Sequence, residues 1–400
     1  MERAEHSAAS YRGTVSALAL GQLLTWAALF YGFSSFVLPM QHDLGWDRAL
    51  LMGAYTLGLA VWGGATFAVG AASARGHGQA VMTGGAVAGG LGFLAWSLVS
   101  APWMLYAVWA VLGAAMAATL YEPAFAVLTK RYPERYRQGI TALTLVGGFA
   151  STLSFPAVAA LLSWLGWRPA LALIGAVLLA VAPLHHWALR GPAIVAPARG
   201  SDEADDATLH QALRDAAFWL LTLCFTLYAF VQAALWAHVM PTFAAKGVAE
   251  ADALTVLMAI GPAQVAGRLL YLAIGRGWSL RVLGAVVLSG LPLSMLLFAF
   301  GRSLAVLLLF ALLFGIANGL VTIVRGGLVP LYFGRSHVGR IGGLMSGIGL
   351  VGRAGAPLLV AWWLVLLPGY RDMLLLLVAC GVVAVLAFWL ARPRTSGSGA

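Results

Sequence analysis

Charge is what this sequence has least of. Only 10% of its 400 residues are Asp, Glu, Lys or Arg, against roughly a quarter in a soluble domain, and only 14 are acidic. That scarcity excludes an ordinary soluble globule, which relies on ionised side chains at its surface. Cysteine is nearly missing as well: Cys224 and Cys380 both fall inside apolar runs, so no disulfide framework is expected. No Gly-rich loop ends in Gly-Lys-Ser/Thr, which leaves the chain without a phosphate cradle for ATP. Catalytic and metal constellations are equally absent. His42 and Asp47 have an acyltransferase-like spacing but lie in a loop with no second catalytic block, and His185-His186 stand alone. No enzyme activity, metal site or cofactor is expected.

What the chain has is hydrocarbon. It is 61% hydrophobic with a mean hydropathy of +0.89. Apolar runs of about 20 residues recur along it, the length an α-helix needs to cross roughly 30 Å of bilayer core. The runs predict an all-α membrane protein with twelve transmembrane helices, over about 14–40, 49–72, 79–98, 103–128, 139–164, 168–189, 215–244, 253–275, 280–300, 303–332, 341–366 and 371–391. Residues 1–11 are polar and mixed in charge, and the run that follows is too long for a signal-peptide core.

The formal net charge of +10 suggests nucleic acid until the charges are placed. Sixteen Lys and Arg fall in segments on one side of the predicted spans, among them Arg75, Lys130, Arg131, Arg135, Arg190, Arg276 and Arg335. Five fall on the other side: Arg48, Arg168, Lys246, Arg302 and Arg371. By the positive-inside rule the richer side is cytoplasmic, so both termini are expected there, in the inner (plasma) membrane. The basicity then reflects topology, and no nucleic-acid partner is expected.

The longest polar interval, 190–214, carries Pro192, Pro197, Gly200 and the acidic run Asp202-Glu203-Ala204-Asp205-Asp206. It reads as a cytoplasmic linker between six-helix halves at 1–189 and 215–400, with a short helix near 208–217 capped by Asp206 or Thr208. Landmarks recur at an offset of about 202 residues: Pro39 with Pro241, Arg75-Gly76 with Arg276-Gly277, Gly113 with Gly315, Pro156 with Pro357, and Gly166-Trp167-Arg168 with Gly369-Tyr370-Arg371. Several landmarks in one register point to duplication. Two parallel six-helix halves are the plan of one large transporter class.

On these features the chain resembles the major facilitator superfamily along its full length. The loop Gly70 to Gly78, with Arg75 and Gly76, sits where that family carries a Gly-x-x-x-Asp-Arg-x-Gly-Arg signature, though without its Asp and second basic residue. Lys130-Arg131-Tyr132, Arg135, Gly139, Gly147-Gly148, Pro156, Gly166-Trp167-Arg168 and Gly267-Arg268 resemble the monocarboxylate and oxalate/formate transporter branch. The resemblance implies two pseudo-symmetric halves and a central cavity lined by spans 1, 2, 4, 5, 7, 8, 10 and 11. Where monocarboxylate transporters place an Asp four residues before the eighth-span Arg, this chain has Gln264, so that proton-coupling role does not carry over.

Four charges lie inside predicted spans: Glu122 in the fourth, Arg268 in the eighth, Arg325 in the tenth and Arg353 in the eleventh. All are on cavity-type spans. A charge at the bilayer centre costs about 2.5 to 3.5 kcal/mol on insertion scales, so such groups face partners or water. Shifting Glu122 by 202 lands beside Arg325, which makes these two the expected cross-repeat pair. Three arginines against one carboxyl favour an anion, since a guanidinium fork matches a carboxylate with two hydrogen bonds. The expected substrate-binding set is Arg325, Arg268, Arg353, Tyr121, Tyr31, Trp26, Tyr228, Gln232 and Gln264, with Glu122 as the proton-coupling group. The reading is a monomeric secondary transporter that moves a small, monocarboxylate-like organic anion across the membrane with protons. The alternative is proton-driven efflux of a drug or amphipathic compound. Gly315-Ile316-Ala317-Asn318-Gly319 has the small-xxx-small spacing of close helix packing, and with Gly326-Gly327 and Pro330 further on it marks the tenth span as packed yet bendable.

Overall fold

A computed structural model describes residues 2–132, 134–190, 207–271, 273, 277–334, 338–366 and 369–392. The described residues form helices and no strand, and twelve helical segments are long and apolar enough to cross a membrane. They run Tyr11–Leu44, Arg48–Ser73, Gly78–Ser97, Pro102–Arg131, Gln138–Leu165, Trp167–Ala188, Ala216–Ala245, Glu250–Leu270, Leu280–Phe300, Leu304–Phe333, Ile341–Leu366 and Tyr370–Leu390. These follow the apolar runs closely because length and hydropathy set both. Most of the linker falls outside the described residues. Its end is the helix α10 (Leu209–Leu213, numbered in chain order below), where Thr208 and Gln211 form a reciprocal capping box.

The chain clusters into two units. One holds residues 1–197 with 237–241, the other 198–236 with 242–400. In the first unit, α1 (Glu2–Thr25) passes into a π-helix (Trp26–Tyr31) and then α2 (Phe33–Leu44). There follow α3 (Arg48–Ala74), α4 (Gly78–Ser97), α5 (Pro102–Thr119), α6 (Tyr121–Arg131), α7 (Tyr136–Gly147), α8 (Ala150–Leu165) and α9 (Trp167–Ala188). The second unit has α10, most of α11 (Ala216–Ala245), α12 (Glu250–Leu270), α13 (Leu280–Phe300), α14 (Leu304–Phe333), α15 (Val338–Leu366) and α16 (Tyr370–Leu390).

Three spans of the first unit are therefore not regular helices, a difference from the unbroken runs read in the sequence. The fourth is cut at Leu120, whose ψ of −163° is extended. Pro123 explains the cut: it has no N–H to give the Thr119 carbonyl four residues back, and its ring would collide with that oxygen. The tenth span, whose Gly326-Gly327 and Pro330 mark it as bendable, runs as one helix, α14, with Pro330 inside it.

Each unit repeats one packing device. A Cβ on Gly113 of α5 would stand 2.1 Å from the Gly58 carbonyl oxygen of α3. A Cβ on Gly315 of α14 would stand 2.7 Å from the Ile260 carbonyl oxygen of α12. Both glycines and both carbonyls are 202 residues apart in sequence, so the duplication is visible as a contact. Only a residue without a side chain allows backbones this close. The second glycine of the tenth-span motif does the same work: a Cβ on Gly319 would lie 2.5 Å from the Gln264 carbonyl oxygen.

Cations finish the helix ends, where carbonyls lack partners. Lys130 Nζ donates to the Ser73 carbonyl at 3.1 Å, and Arg131 to that of Ala188 at 3.3 Å. Arg168 donates to the carbonyls of Ser97 and Val99, both at 3.0 Å, and its Nε lies 3.8 Å from Asp43. In the second unit Lys246 donates to the carbonyls of Phe298 and Ala299 at 2.7 and 3.1 Å, while Arg371 lies over the Phe300 ring at 4.7 Å.

Candidate functional site

In the first unit three of the residues expected to bind substrate meet at the irregular part of the first span. The Trp26 ring lies 5.0 Å from that of Tyr121, 6.3 Å from Tyr31, 5.3 Å from Phe30 and 5.9 Å from Trp62. A π-helix leaves backbone carbonyls out of the usual ladder. Neighbouring hydroxyls take two of them: Ser154 Oγ donates to the Ala27 carbonyl at 2.6 Å and Tyr55 Oη to that of Phe30 at 3.3 Å.

The break in the fourth span faces the same place. Gln22, fully buried, donates from Nε2 to the Thr119 carbonyl at 2.7 Å and to that of Leu120 at 3.4 Å. Its Oε1 accepts from the Trp26 indole at 3.2 Å. One amide thus serves the carbonyl that Pro123 cannot and positions the central ring of the cluster. Tyr121 needs an equally local allowance, since a Cβ on Gly147 would sit 2.3 Å from its hydroxyl.

Glu122 occupies the first turn of α6 and is exposed. A carboxylate at a helix N-terminus gains about 0.3–1 kcal/mol from the dipole. Set against the roughly 2.5–3.5 kcal/mol for a charge at bilayer depth, the dipole alone does not account for it.

In the second unit α14 gathers the other expected residues. The Gln232 amide of α11 is hydrogen-bonded to Asn318. The next residue, Gly319, accepts at its carbonyl from Arg268 Nε at 3.0 Å and packs on the Gln264 backbone. Gln264 and Tyr228 are buried, and Gln264 Nε2 and Tyr228 Oη find no hydrogen-bond partner among the described residues. Tyr228 lies one turn of α11 before Gln232, so both atoms lie beside this network. Seven residues along α14, and so on nearly the same face, Arg325 donates from Nη2 to Ser346 Oγ at 2.7 Å, which itself donates to the Gly342 carbonyl. Its guanidinium lies 5.7 Å from the Phe225 ring centre. The adjacent Thr226 touches Gly352, where a Cβ would come within 2.7 Å of its Cγ2. One turn of α11 thereby meets both Arg325 and the segment that carries Arg353.

The structure thus brings Trp26, Tyr31 and Tyr121 together in one unit, and Gln232, Gln264 and Arg268 together in the other. Arg325 is seated on α11 and α15 of its own unit. Sequence reasoning passed over Gln22, Asn318 and Ser346. Gln22 was findable as a buried-span amide one turn before Trp26; the role of Ser346 depends on which helix stands opposite.

Residues 18–301 match the family model of the Major Facilitator Superfamily. The chain belongs to that superfamily. No curated protein matches it in sequence. Among solved structures it is similar to a bacterial homologue of the human lysosomal transporter Spinster, seen inward-facing in occupied and in unoccupied form. Each aligns with a TM-score of 0.73 at 16% identity, over 94% of this chain and 96% of the other. At that identity the likeness speaks for the fold. As a member of the Major Facilitator Superfamily the chain is a multi-pass membrane protein and a secondary transporter working by alternating access, not an enzyme.

Proposed function

We propose that this transporter carries a small, monocarboxylate-like organic anion with an apolar body, coupled to protons, as a monomer in the inner (plasma) membrane with both termini cytoplasmic. One observation carries the substrate class. The second unit's spans hold Arg325 and Arg353 in their interiors and Arg268 in the last turn of α12, whereas their carboxylates, Glu250, Asp252 and Asp372, are confined to first turns of helices. A membrane interior charged that way favours an anionic guest, and the two-donor guanidinium fork suits a carboxylate. Arg325, oriented by Ser346, is the first candidate contact. Arg353 and Arg268 set the surrounding potential, and Gln264, Gln232 and Tyr228 offer polar contacts. In the first unit the Trp26, Tyr31 and Tyr121 cluster offers an aromatic surface suited to an apolar body. Glu122 is the proton carrier in this reading, and the surplus of basic loops on one side supports the orientation.

In proteoliposomes, anion-driven proton uptake disappears in Glu122→Gln while anion exchange persists, and Arg325→Gln loses both. Coupling that survives in Glu122→Gln refutes the proton role.

A second reading has one observation in its favour. A Trp-centred ring cluster beside an exposed carboxylate also suits an organic cation. A quaternary ammonium probe that protects the protein against heating where benzoate and lactate do not would reverse the order of the two.

A further inference from the structure

The two units differ in charge at one pair of equivalent corners. The repeat register holds there in the backbone itself: Gly45 and Gly247, each close behind a span, both take positive φ, 65° and 68°. In the first unit the corner is charge-balanced. Arg168 donates to the Ser97 and Val99 carbonyls behind α4 and stands 3.8 Å from Asp43, which also accepts from the Trp167 indole. In the second unit the place of Asp43 falls on Ala245, and the next residue is Lys246.

Lys246 there does what Arg168 does in the first unit. Its Nζ donates to the Phe298 and Ala299 carbonyls at the end of α13, at 2.7 and 3.1 Å, and lies 5.6 Å from the Phe298 ring centre. Arg371, the counterpart of Arg168, lies instead over the Phe300 ring at 4.7 Å, and Arg302 follows two residues after that phenylalanine. Three cations therefore crowd the end of α13. Burial, then Arg302 and Arg371, hold Lys246 below its usual pKa. Among the described residues neither arginine makes a hydrogen bond or an ion pair, and Glu250, Asp252 and Asp372, in the first turns of α12 and α16, pair with none of the three. Both guanidiniums are exposed. Arg302 precedes α14 and Arg371 opens α16, where the helix dipole makes a cation unfavourable.

We propose that this corner of the second unit binds a phosphate group, held by the Arg302 and Arg371 guanidiniums and by the Lys246 Nζ proton that no carbonyl takes. A guanidinium offers five N–H donors and an ammonium three, of which Lys246 has spent two. A phosphate presents acceptor oxygens in several directions at once, which suits donors arriving from three chain segments; a carboxylate's two oxygens share one plane. The group is either a phospholipid headgroup or free phosphate. The inference stands apart from the substrate reading, and its failure leaves that reading untouched.

The chain has two lysines, Lys130 and Lys246, so trace acylation followed by peptide mass spectrometry reads each amine separately. The reagent attacks the neutral amine, and an anion at the corner keeps Lys246 charged. Detergent-solubilised wild type, at mildly alkaline pH and fixed ionic strength, is titrated in one arm with inorganic phosphate. The other arm compares phosphatidylglycerol with phosphatidylcholine in mixed micelles. Lys246 labelling falls about fivefold with at least one phosphate source, while Lys130, in the first unit, serves as the unchanged reference. Arg302→Gln and Arg371→Gln each raise the concentration for half-protection about fivefold, the equivalent of about 1 kcal/mol per cation. Protection by inorganic phosphate alone assigns a free anion, and protection by phosphatidylglycerol alone assigns the headgroup. Unchanged Lys246 labelling with both sources, or undiminished protection when Arg302→Gln and Arg371→Gln are combined, overturns the proposal.

Discussion

Replacing Gln22 by Leu should reveal how the broken fourth span is held. The side chain is fully buried, about the same size as Leu, and makes three hydrogen bonds: to the carbonyls of Thr119 and Leu120 and from the Trp26 indole. Removing it strands the Thr119 carbonyl, which Pro123 cannot serve from within the helix. A buried polar group left unmade costs about 1–3 kcal/mol. The Leu120 bond is long and adds little, so the expected loss is about 2–3 kcal/mol. The sharper test is a double-mutant cycle. Pro123→Ala returns an N–H to the position facing Thr119 and lets α5 and α6 join, so Gln22→Leu should cost about 1–2 kcal/mol less in that background. Unfolding in mixed micelles titrated with denaturing detergent gives all four free energies. Costs that add within about 0.5 kcal/mol would show that Gln22 does not serve the break.

Other consequences follow from single positions. Gly113→Val and Gly315→Val should each prevent stable folding, because their Cβ atoms would meet backbone oxygens at 2.1 and 2.7 Å, while Gly64→Ala, with nothing within 4 Å, should be near neutral; detergent gel filtration separates them. Gly147→Ala should displace the Tyr121 ring and reduce transport more than stability, read as a fall in exchange rate at an unchanged melting temperature. Lys246 has its pKa lowered from 10.5 by burial first, then by Arg302 and Arg371. Its charged form is therefore disfavoured in the fold. That penalty is full below the lowered value and is relieved as pH climbs through it towards 10.5, so this group makes stability rise over that window. Arg371→Gln should flatten the rise, measured by melting as the pH is raised from neutral towards 10.5.

The spans were legible because a bilayer imposes one length on every crossing helix, so hydropathy alone located Trp167–Ala188 or Leu280–Phe300 to within a residue or two. The repeat was legible for a similar reason: Gly113 and Gly315 are needed wherever two backbones touch, and duplication kept both. The interruptions were not. Pro123 and Pro330 look alike in sequence, yet the first starts a new helix and the second sits inside α14. What separates them is Gln22, which serves the Thr119 carbonyl from 97 residues away. The site shows the same limit. Residue type alone nominated Gln232, Arg268 and Arg325, but their partners Asn318, Gly319 and Ser346 come from other helices, and the only signal among them, the small-xxx-small spacing that ends at Gly319, spoke of packing and not of a hydrogen bond.

Whether the second unit's arginines hold an organic anion is decided by counterflow. Protein in liposomes preloaded with unlabelled benzoate is offered labelled benzoate, and counterflow is followed for the wild type and for Arg325→Gln and Arg325→Lys. Counterflow is expected in the wild type, none in Arg325→Gln, and partial return in Arg325→Lys, which keeps the charge and loses the fork. Wild-type counterflow of a quaternary ammonium but of no carboxylate, or full benzoate exchange in Arg325→Gln, would contradict it.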